Sequence, residues 1–280
     1  MVEANGVSLC TEPFGDSADP AILLIMGIGA SMLWWDGEFC RMLADGERFV
    51  IRYDHRDTGR SVTYPPGHPT YNGADLVADA AGVLDAYGLR AAHIVGVSAG
   101  GAFAQLLALD SAERVLSLVA ISTSPATPGD RGLPPPTEEF TRWVATAEVD
   151  WSDAESVLEY QVGYSRVLNG GQRPFDEAAS RALVRRDIER ANNVAALQNH
   201  NMIPSDDRSP PPLSSMGVPT LVIHGTADPM FPIAHGNALA EEIPGATLMA
   251  IEGAGHGVDR RDWAAIVTAI LEHTRSTRTR

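Results

Sequence analysis

The pentapeptide Gly96-Val97-Ser98-Ala99-Gly100 constrains this chain more than any other stretch. The short β-branched run His93-Ile94-Val95 leads into it, and Gly101-Ala102-Phe103-Ala104-Gln105-Leu106-Leu107-Ala108-Leu109 follows with a helical pattern. Strand, Gly-x-Ser-x-Gly turn and helix in that order describe a nucleophile elbow, whose sharp turn holds a serine hydroxyl clear of the sheet. Strand and helix pack so closely there that a side chain at position 96 or 100 would clash, so glycine is a physical requirement. A helix starting at Ser98 also aims unpaired backbone N–H groups and the positive end of its dipole at any oxyanion formed beside the serine. A glycine-rich βα turn with an idle serine is the bland alternative; placement between strand and helix favours the elbow.

The flanking sequence supplies a sheet for that elbow to stand on. Residues 21–26 (Ala-Ile-Leu-Leu-Ile-Met) are continuously apolar, as in a strand buried on both faces of a parallel sheet. Similar runs cover 49–54, 116–122, 220–224 and 247–251, separated by helical patterns at 36–43, 75–87, 233–243 and 263–274. Such alternation predicts an α/β fold, a doubly wound and mostly parallel sheet flanked by helices. Asn5-Gly6 is a hairpin signal and predicts an antiparallel edge at the start of the chain. The alternation breaks after Ser124, where Pro125, Pro128 and Pro134-Pro135-Pro136 begin a polar, helical block that ends at Pro210-Pro211-Pro212. The expected organisation is therefore a core from 1–124 and 213–280, with 125–212 inserted as a helical lid. A length of 280 residues suits one large domain of this kind.

Composition removes several functional classes. A formal net charge of −15 argues against a nucleic-acid partner and against docking on an anionic membrane. No stretch approaches the roughly 20 apolar residues of a membrane span. The first residues lack the basic start and apolar run of a signal peptide, and the two cysteines, Cys10 and Cys40, give no disulfide framework. A cytoplasmic location is expected; the sequence leaves the oligomeric state open. No His-Glu-x-x-His, zinc-spaced cysteine cluster or Walker loop is present, so neither a metal nor another cofactor is expected.

A serine hydroxyl is a poor nucleophile near neutral pH, so it needs a base, and the base needs an orienting acid. Both should stand where strands end at the carboxyl edge of the sheet. Asp228, in His224-Gly225-Thr226-Ala227-Asp228-Pro229, follows one strand, and His256, in Glu252-Gly253-Ala254-Gly255-His256-Gly257, follows the last. Alone, the first would be a turn former and the second an exposed polar residue. Together, in the order Ser…Asp…His, they predict a catalytic triad. An oxyanion hole needs two donors, and the expected ones are the N–H groups of Ala99 and of Ile28, in the loop Gly27-Ile28-Gly29. That loop, with Asp54 ending the next strand, also imitates a dinucleotide fingerprint. Met32 stands at the third glycine position with Trp34 and Trp35 behind it, and the rival leaves the triad unexplained. His235, the nearest competitor for the base, falls at a helix start. The charged run Asp54-His55-Arg56-Asp57-Thr58-Gly59-Arg60-Ser61 is expected to be a polar turn with internal ion pairing beside the pocket floor, outside the catalytic set. Trp34 and Trp143 are candidate substrate-binding residues.

These segments together resemble the α/β-hydrolase superfamily. Phe14-Gly15-Asp16, Arg52-Tyr53-Asp54-His55-Arg56-Asp57-Thr58-Gly59-Arg60-Ser61 and Asp228-Pro229 make the chain most similar to the aclacinomycin methylesterase-like group. The resemblance implies the α/β-hydrolase fold with a triad of Ser98, Asp228 and His256 and oxyanion donors at Ile28 and Ala99. Family members often carry a histidine before the first glycine of the oxyanion loop, whereas this chain has Met26. The implied activity is hydrolysis of a carboxylic ester of a small to medium organic substrate through an acyl-enzyme. C–C bond hydrolases, lactonases and cofactor-free perhydrolases use the same residues, and a non-catalytic ligand-binding receptor can share the fold.

Overall fold

A computed structural model of the chain describes residues 1–204 and 209–275. Seven strands form the central sheet: β3 (Thr11–Phe14), β4 (Ala21–Ile25), β5 (Phe49–Tyr53), β6 (Ala92–Val97), β7 (Val115–Ile121), β8 (Thr220–Gly225) and β9 (Thr247–Ile251). Their spatial order is β3-β5-β4-β6-β7-β8-β9, parallel throughout except for the antiparallel β3. The helices α1 (Gly37–Ala44), α2 (Gly73–Ala86), α3 (Ala99–Asp110), α7 (Ala234–Glu242) and α8 (Trp263–Arg275) cover the two faces. Strand alternation explains the two layers of core. Leu23, Ile25, Ile94, Leu118 and Val222 pack with residues of α2, α3 and α7 on one face. Ile22, Leu24, Val95, Val119 and Ile223 pack with residues of α1 and α8 on the other. Burial on both faces is why the central strand β4 reads as an unbroken apolar run, each large side chain contributing roughly 1.5–3 kcal/mol, whereas the edge strands β3 and β9 are only partly buried.

The antiparallel start of the chain divides in two. β1 (Val2–Ala4) and β2 (Val7–Leu9) form a separate hairpin, turned at Asn5 (φ 48°) and Gly6 (φ 73°). Positive φ at both central residues is the geometry that Asn-Gly favours. The sheet edge is instead β3, in which Pro13 has no N–H to offer and is tolerated because β3 pairs only with β5.

Between 125 and 212, the described residues hold α4 (Glu138–Thr146), α5 (Ala154–Leu168), α6 (Glu177–Arg190) and 3-10 turns, with no strand; residues 205–208 of the expected lid lie outside the described ones. Leu158, Val162 and Val184 make a small apolar cluster against Trp34, Phe175 and Ile188. Among the described residues, no helix is long and apolar enough to cross a membrane.

One charge pair, between the turn after β5 and α2, is buried. Arg56 donates from Nε and Nη2 to both oxygens of Asp79, each at 2.7 Å, with side-chain exposures of 7% and 0%. Removing the carboxylate would leave a buried guanidinium without its partner. Asp79→Ala is expected to cost about 3–5 kcal/mol, measured as the shift in urea midpoint; a loss below about 1 kcal/mol would contradict this.

Candidate active site

β6 runs into the elbow, and Ser98 turns the chain into α3 with φ 56° and ψ −126°. That backbone conformation is rare for a residue with a side chain and costs on the order of 1–3 kcal/mol. Both glycines are explained by contact: a Cβ on Gly96 would lie 2.2 Å from the Gly100 carbonyl oxygen, and one on Gly100 would lie 2.3 Å from that of Ile25. The Ser98 N–H donates to the Ile121 carbonyl at 2.9 Å, tying the elbow to the end of β7.

Asp228 and His256 stand on the loops after β8 and β9, and their side chains meet. The His256 ring presents Nδ1 to Asp228 Oδ2 at 2.8 Å. The other carboxylate oxygen, Oδ1, accepts the backbone N–H groups of Met230 and Phe231, both at 2.9 Å. An aspartate before a proline is here a turn former and an imidazole partner at once. The two loops are bound together through Ala227 N–H to Ala254 O and Gly253 N–H to Thr226 Oγ1. Gly257 N–H reaches Ser122 Oγ at 3.1 Å, at the end of β7 beside the elbow strand. The histidine loop therefore crosses β8 toward Ser98, as the neighbouring order β6-β7-β8-β9 requires.

The loop after β4 passes directly against the serine. A Cβ on Gly27 would come within 3.2 Å of Ser98 Cβ. Ile28, between the two glycines, is 41% exposed. Ala99 opens α3, where no carbonyl lies one turn earlier to take its N–H. Backbone of the loop after β4 and the first turn of α3 therefore flank the serine.

Electrostatics distinguish the histidines. Burial raises the Asp228 carboxyl pKa, but the charge and hydrogen bond of His256 and the Phe231 N–H outweigh it, and the net shift is downward. His224 is also near, with Nε2 3.5 Å from Asp228 Oδ2. It is fully buried and directs Nε2 to the Phe231 carbonyl at 2.7 Å, so it braces the turn that feeds Asp228. His235 is spent on Ser124 Oγ and the Pro134 carbonyl.

Among the described residues the charged turn forms internal hydrogen bonds, such as Arg60 N–H to Asp54 Oδ2, but not the internal ion pairs expected; its charges reach outward. Asp54 binds Arg190 of α6 at 2.7 Å, and Asp57 accepts Asn199 Nδ2 at 2.9 Å and the Tyr71 hydroxyl at 2.7 Å. His55 Nε2 meets the Met26 carbonyl at 2.8 Å, at the head of the serine-facing loop. The segment between the proline clusters also touches the other two loops. Leu168 O accepts His256 N–H at 2.8 Å, and Thr137 N–H donates to Pro229 O at 2.8 Å.

The two candidate tryptophans occupy different places. Trp34 donates its indole N–H to Asp187 at 2.9 Å and lines a small cavity with Gln161, Val184 and Leu197. Trp143 packs 5.2 and 5.5 Å from Tyr160 and Tyr164. Burial, Tyr160 and the Asp228 carboxylate push the Tyr164 hydroxyl up to about 12, which places it in the field of Asp228. Tyr164 has no sequence signal, because only the packing of α5 brings it there.

Burial of neutral histidines fixes one pH dependence. Burial, His55 nearby and an opposing bond to the Arg56 carbonyl leave His200 pushed down to about 4; burial likewise lowers His55 and His224. Below the unfolded value of ~6.5 the unfolded chain binds protons that the folded one refuses, so stability falls as pH falls toward 4. His200 alone is expected to remove ~2 kcal/mol between pH 7 and 5. Urea midpoints at the two pH values check this, and equal midpoints would contradict it.

Comparison with known proteins identifies the family of this fold. A family model described as the alpha/beta hydrolase fold matches residues 20–258. The chain belongs to that α/β-hydrolase family. It is 36% identical over 294 residues to rhodomycin D methylesterase DauP of Streptomyces sp. (strain C5), covering 99% of this chain and 98% of that one. Its identity to rhodomycin D methylesterase DnrP of Streptomyces peucetius is also 36%, with the same coverage. The fold is shared with an esterase from Exiguobacterium antarcticum, at a TM-score of 0.78 and 19% identity, covering 98% of each chain. This α/β-hydrolase is an ester hydrolase of carboxylesterase type.

Proposed function

We propose that the enzyme cleaves a methyl ester of a small to medium organic acid through an acyl-enzyme on Ser98. The observation that carries this is the His256–Asp228 contact of 2.8 Å on the loops after β8 and β9, together with a strained serine at the strand-to-helix turn after β6. Ser98 Oγ attacks the ester carbonyl carbon while His256 Nε2 takes its proton. The oxyanion forms between the Ile28 and Ala99 N–H groups. Collapse breaks the acyl C–O bond, and His256 returns the proton to the departing methoxide, releasing methanol. Water then attacks the acyl-serine with the same base, releasing the acid and restoring Ser98. Asp228 holds the Nδ1–H tautomer and stabilises the imidazolium. No step needs a metal or another cofactor.

Support for a methyl ester comes from the two methylesterase relatives. In this reading residues 125–212 are the lid, and Trp143, Tyr160 and Tyr164 form an aromatic wall for the acyl group, with Trp34 at the seam beneath. Such a wall favours ring-bearing acids, because offset and edge contacts add to area burial. A panel of methyl esters, read by methanol release, is expected to show kcat/KM at least roughly tenfold higher for ring-bearing acyl groups than for acetate. The reverse order would overturn the aromatic wall. Methanol release from no ester would overturn the methyl-ester assignment.

A further inference from the structure

We infer that His200 is a positioning residue for the oxyanion loop, so that the segment between the proline clusters completes the oxyanion hole as well as covering it. The inference rests on the proposed role of the Ile28 N–H. Residues 26–29 are held at both ends by buried imidazoles. At one end the Met26 carbonyl accepts His55 Nε2–H at 2.8 Å. At the other, the Gly29 N–H donates to His200 Nδ1 at 2.7 Å. Ile28 lies between them and is 41% exposed.

The chemistry leaves one tautomer for His200. A backbone N–H can only donate, so Nδ1 must be the acceptor, and a neutral ring then carries its proton on Nε2. That Nε2–H has an acceptor waiting, the Arg56 carbonyl at 2.7 Å. Arg56 is itself locked to Asp79, so the far anchor is rigid. His200 is 2% exposed, so bulk water does not compete for these two bonds. The ring also packs by edge contacts against His55 and Tyr71, at 6.2 and 6.5 Å between centroids.

The tie has a purpose because the loop is otherwise loose. Gly27 and Gly29 flank Ile28, and glycine has the widest backbone freedom of any residue. A donor that must meet a developing oxyanion loses most of its value when displaced by an ångström. Holding the peptide groups on either side limits the directions available to the Ile28 N–H.

Two substitutions separate positioning from packing. His200→Phe fills the space without an acceptor, and His200→Asn presents an amide oxygen close to where Nδ1 stands. His200→Phe is expected to lower kcat roughly ten- to a hundredfold with KM changed less than about threefold, and to slow phosphonylation of Ser98 by a fluorophosphonate, with loss of fluoride, by a similar factor. His200→Asn is expected to recover most of that loss. A kcat for His200→Phe within about twofold of the unsubstituted enzyme, or a loss confined to KM, would overturn the inference. So would an Asn variant as slow as Phe. Should His200→Phe fail to fold, amide hydrogen exchange of Gly29 in the 15N-glycine-labelled native enzyme decides. Protection at neutral pH is expected, and exchange at the rate of an open loop overturns it. A native enzyme with no ester turnover and no label on Ser98 would overturn the parent reading and this inference together; normal native turnover beside an unaffected His200→Phe would overturn this one alone.

Discussion

Ser98→Ala is expected to lower ester turnover by about 10⁴-fold or more, while the thermal midpoint stays within roughly 2 °C. The two halves of that expectation have separate physical causes. Ser98 carries the only hydroxyl of the elbow pentapeptide, so the proposed acyl-enzyme has no oxygen there on which to form. The fold is indifferent because the positive φ at position 98 is imposed by the Gly96 and Gly100 contacts, and alanine bears it as serine does. No enclosed cavity opens either, since Ser98 is partly exposed. Single-turnover kinetics beside thermal unfolding would check both halves. Retained acylation in the variant would move the nucleophile elsewhere.

Asp228→Asn is expected to lower kcat by about 10⁴-fold with little loss of structure, and the hydrogen bonds say why. Two backbone N–H groups, from Met230 and Phe231, converge on Oδ1. An asparagine keeps its carbonyl oxygen there, because an NH₂ in that place would face two donors. Its NH₂ must then turn toward His256 Nδ1. The imidazole becomes an acceptor at Nδ1 and carries its proton on Nε2, the nitrogen that should take the proton of Ser98. The proposed base would be blocked by the wrong tautomer, with both loops still in place. A loss below about tenfold would show that another group orients His256, with His224, 3.5 Å from the same carboxylate, the nearest candidate for that influence.

The parts of this fold that could be read from sequence are those governed by local chemistry. Continuous apolar runs such as residues 21–25 announce strands buried on both faces, and the structure places β4, β6 and β8 as fully buried. Gly96 and Gly100 announce an elbow because only glycine fits a backbone approach that close. Thr11–Phe14 was less legible: a short strand containing Pro13 looks like a connection, and only its pairing with β5 makes it the edge.

Legibility failed where partners come from remote positions. Asp54, Arg56 and Asp57 look self-sufficient in sequence, with opposite charges side by side. In the fold they bind Arg190, Asp79 and Asn199, up to 142 residues away. His200 gives still less signal, since Gln198-Asn199-His200-Asn201 matches no spacing that chemistry demands. Its place against Gly29 depends on how the 3-10 turn Val194–Asn201 docks on the charged turn. Spacing within the chain therefore pointed to Ser98, Asp228 and His256, while the residues that brace them became visible only with tertiary packing.

The most direct test of a serine-nucleophile enzyme is labelling of the folded protein with a fluorophosphonate, followed by peptide mass spectrometry. The probe requires an activated serine, a working base and an accessible site, and it requires no knowledge of the natural ester. Stoichiometric modification of the peptide carrying Ser98 is expected, with none in Ser98→Ala. Label on a different residue, or an unmodified native protein that hydrolyses esters at full rate after treatment, would contradict it.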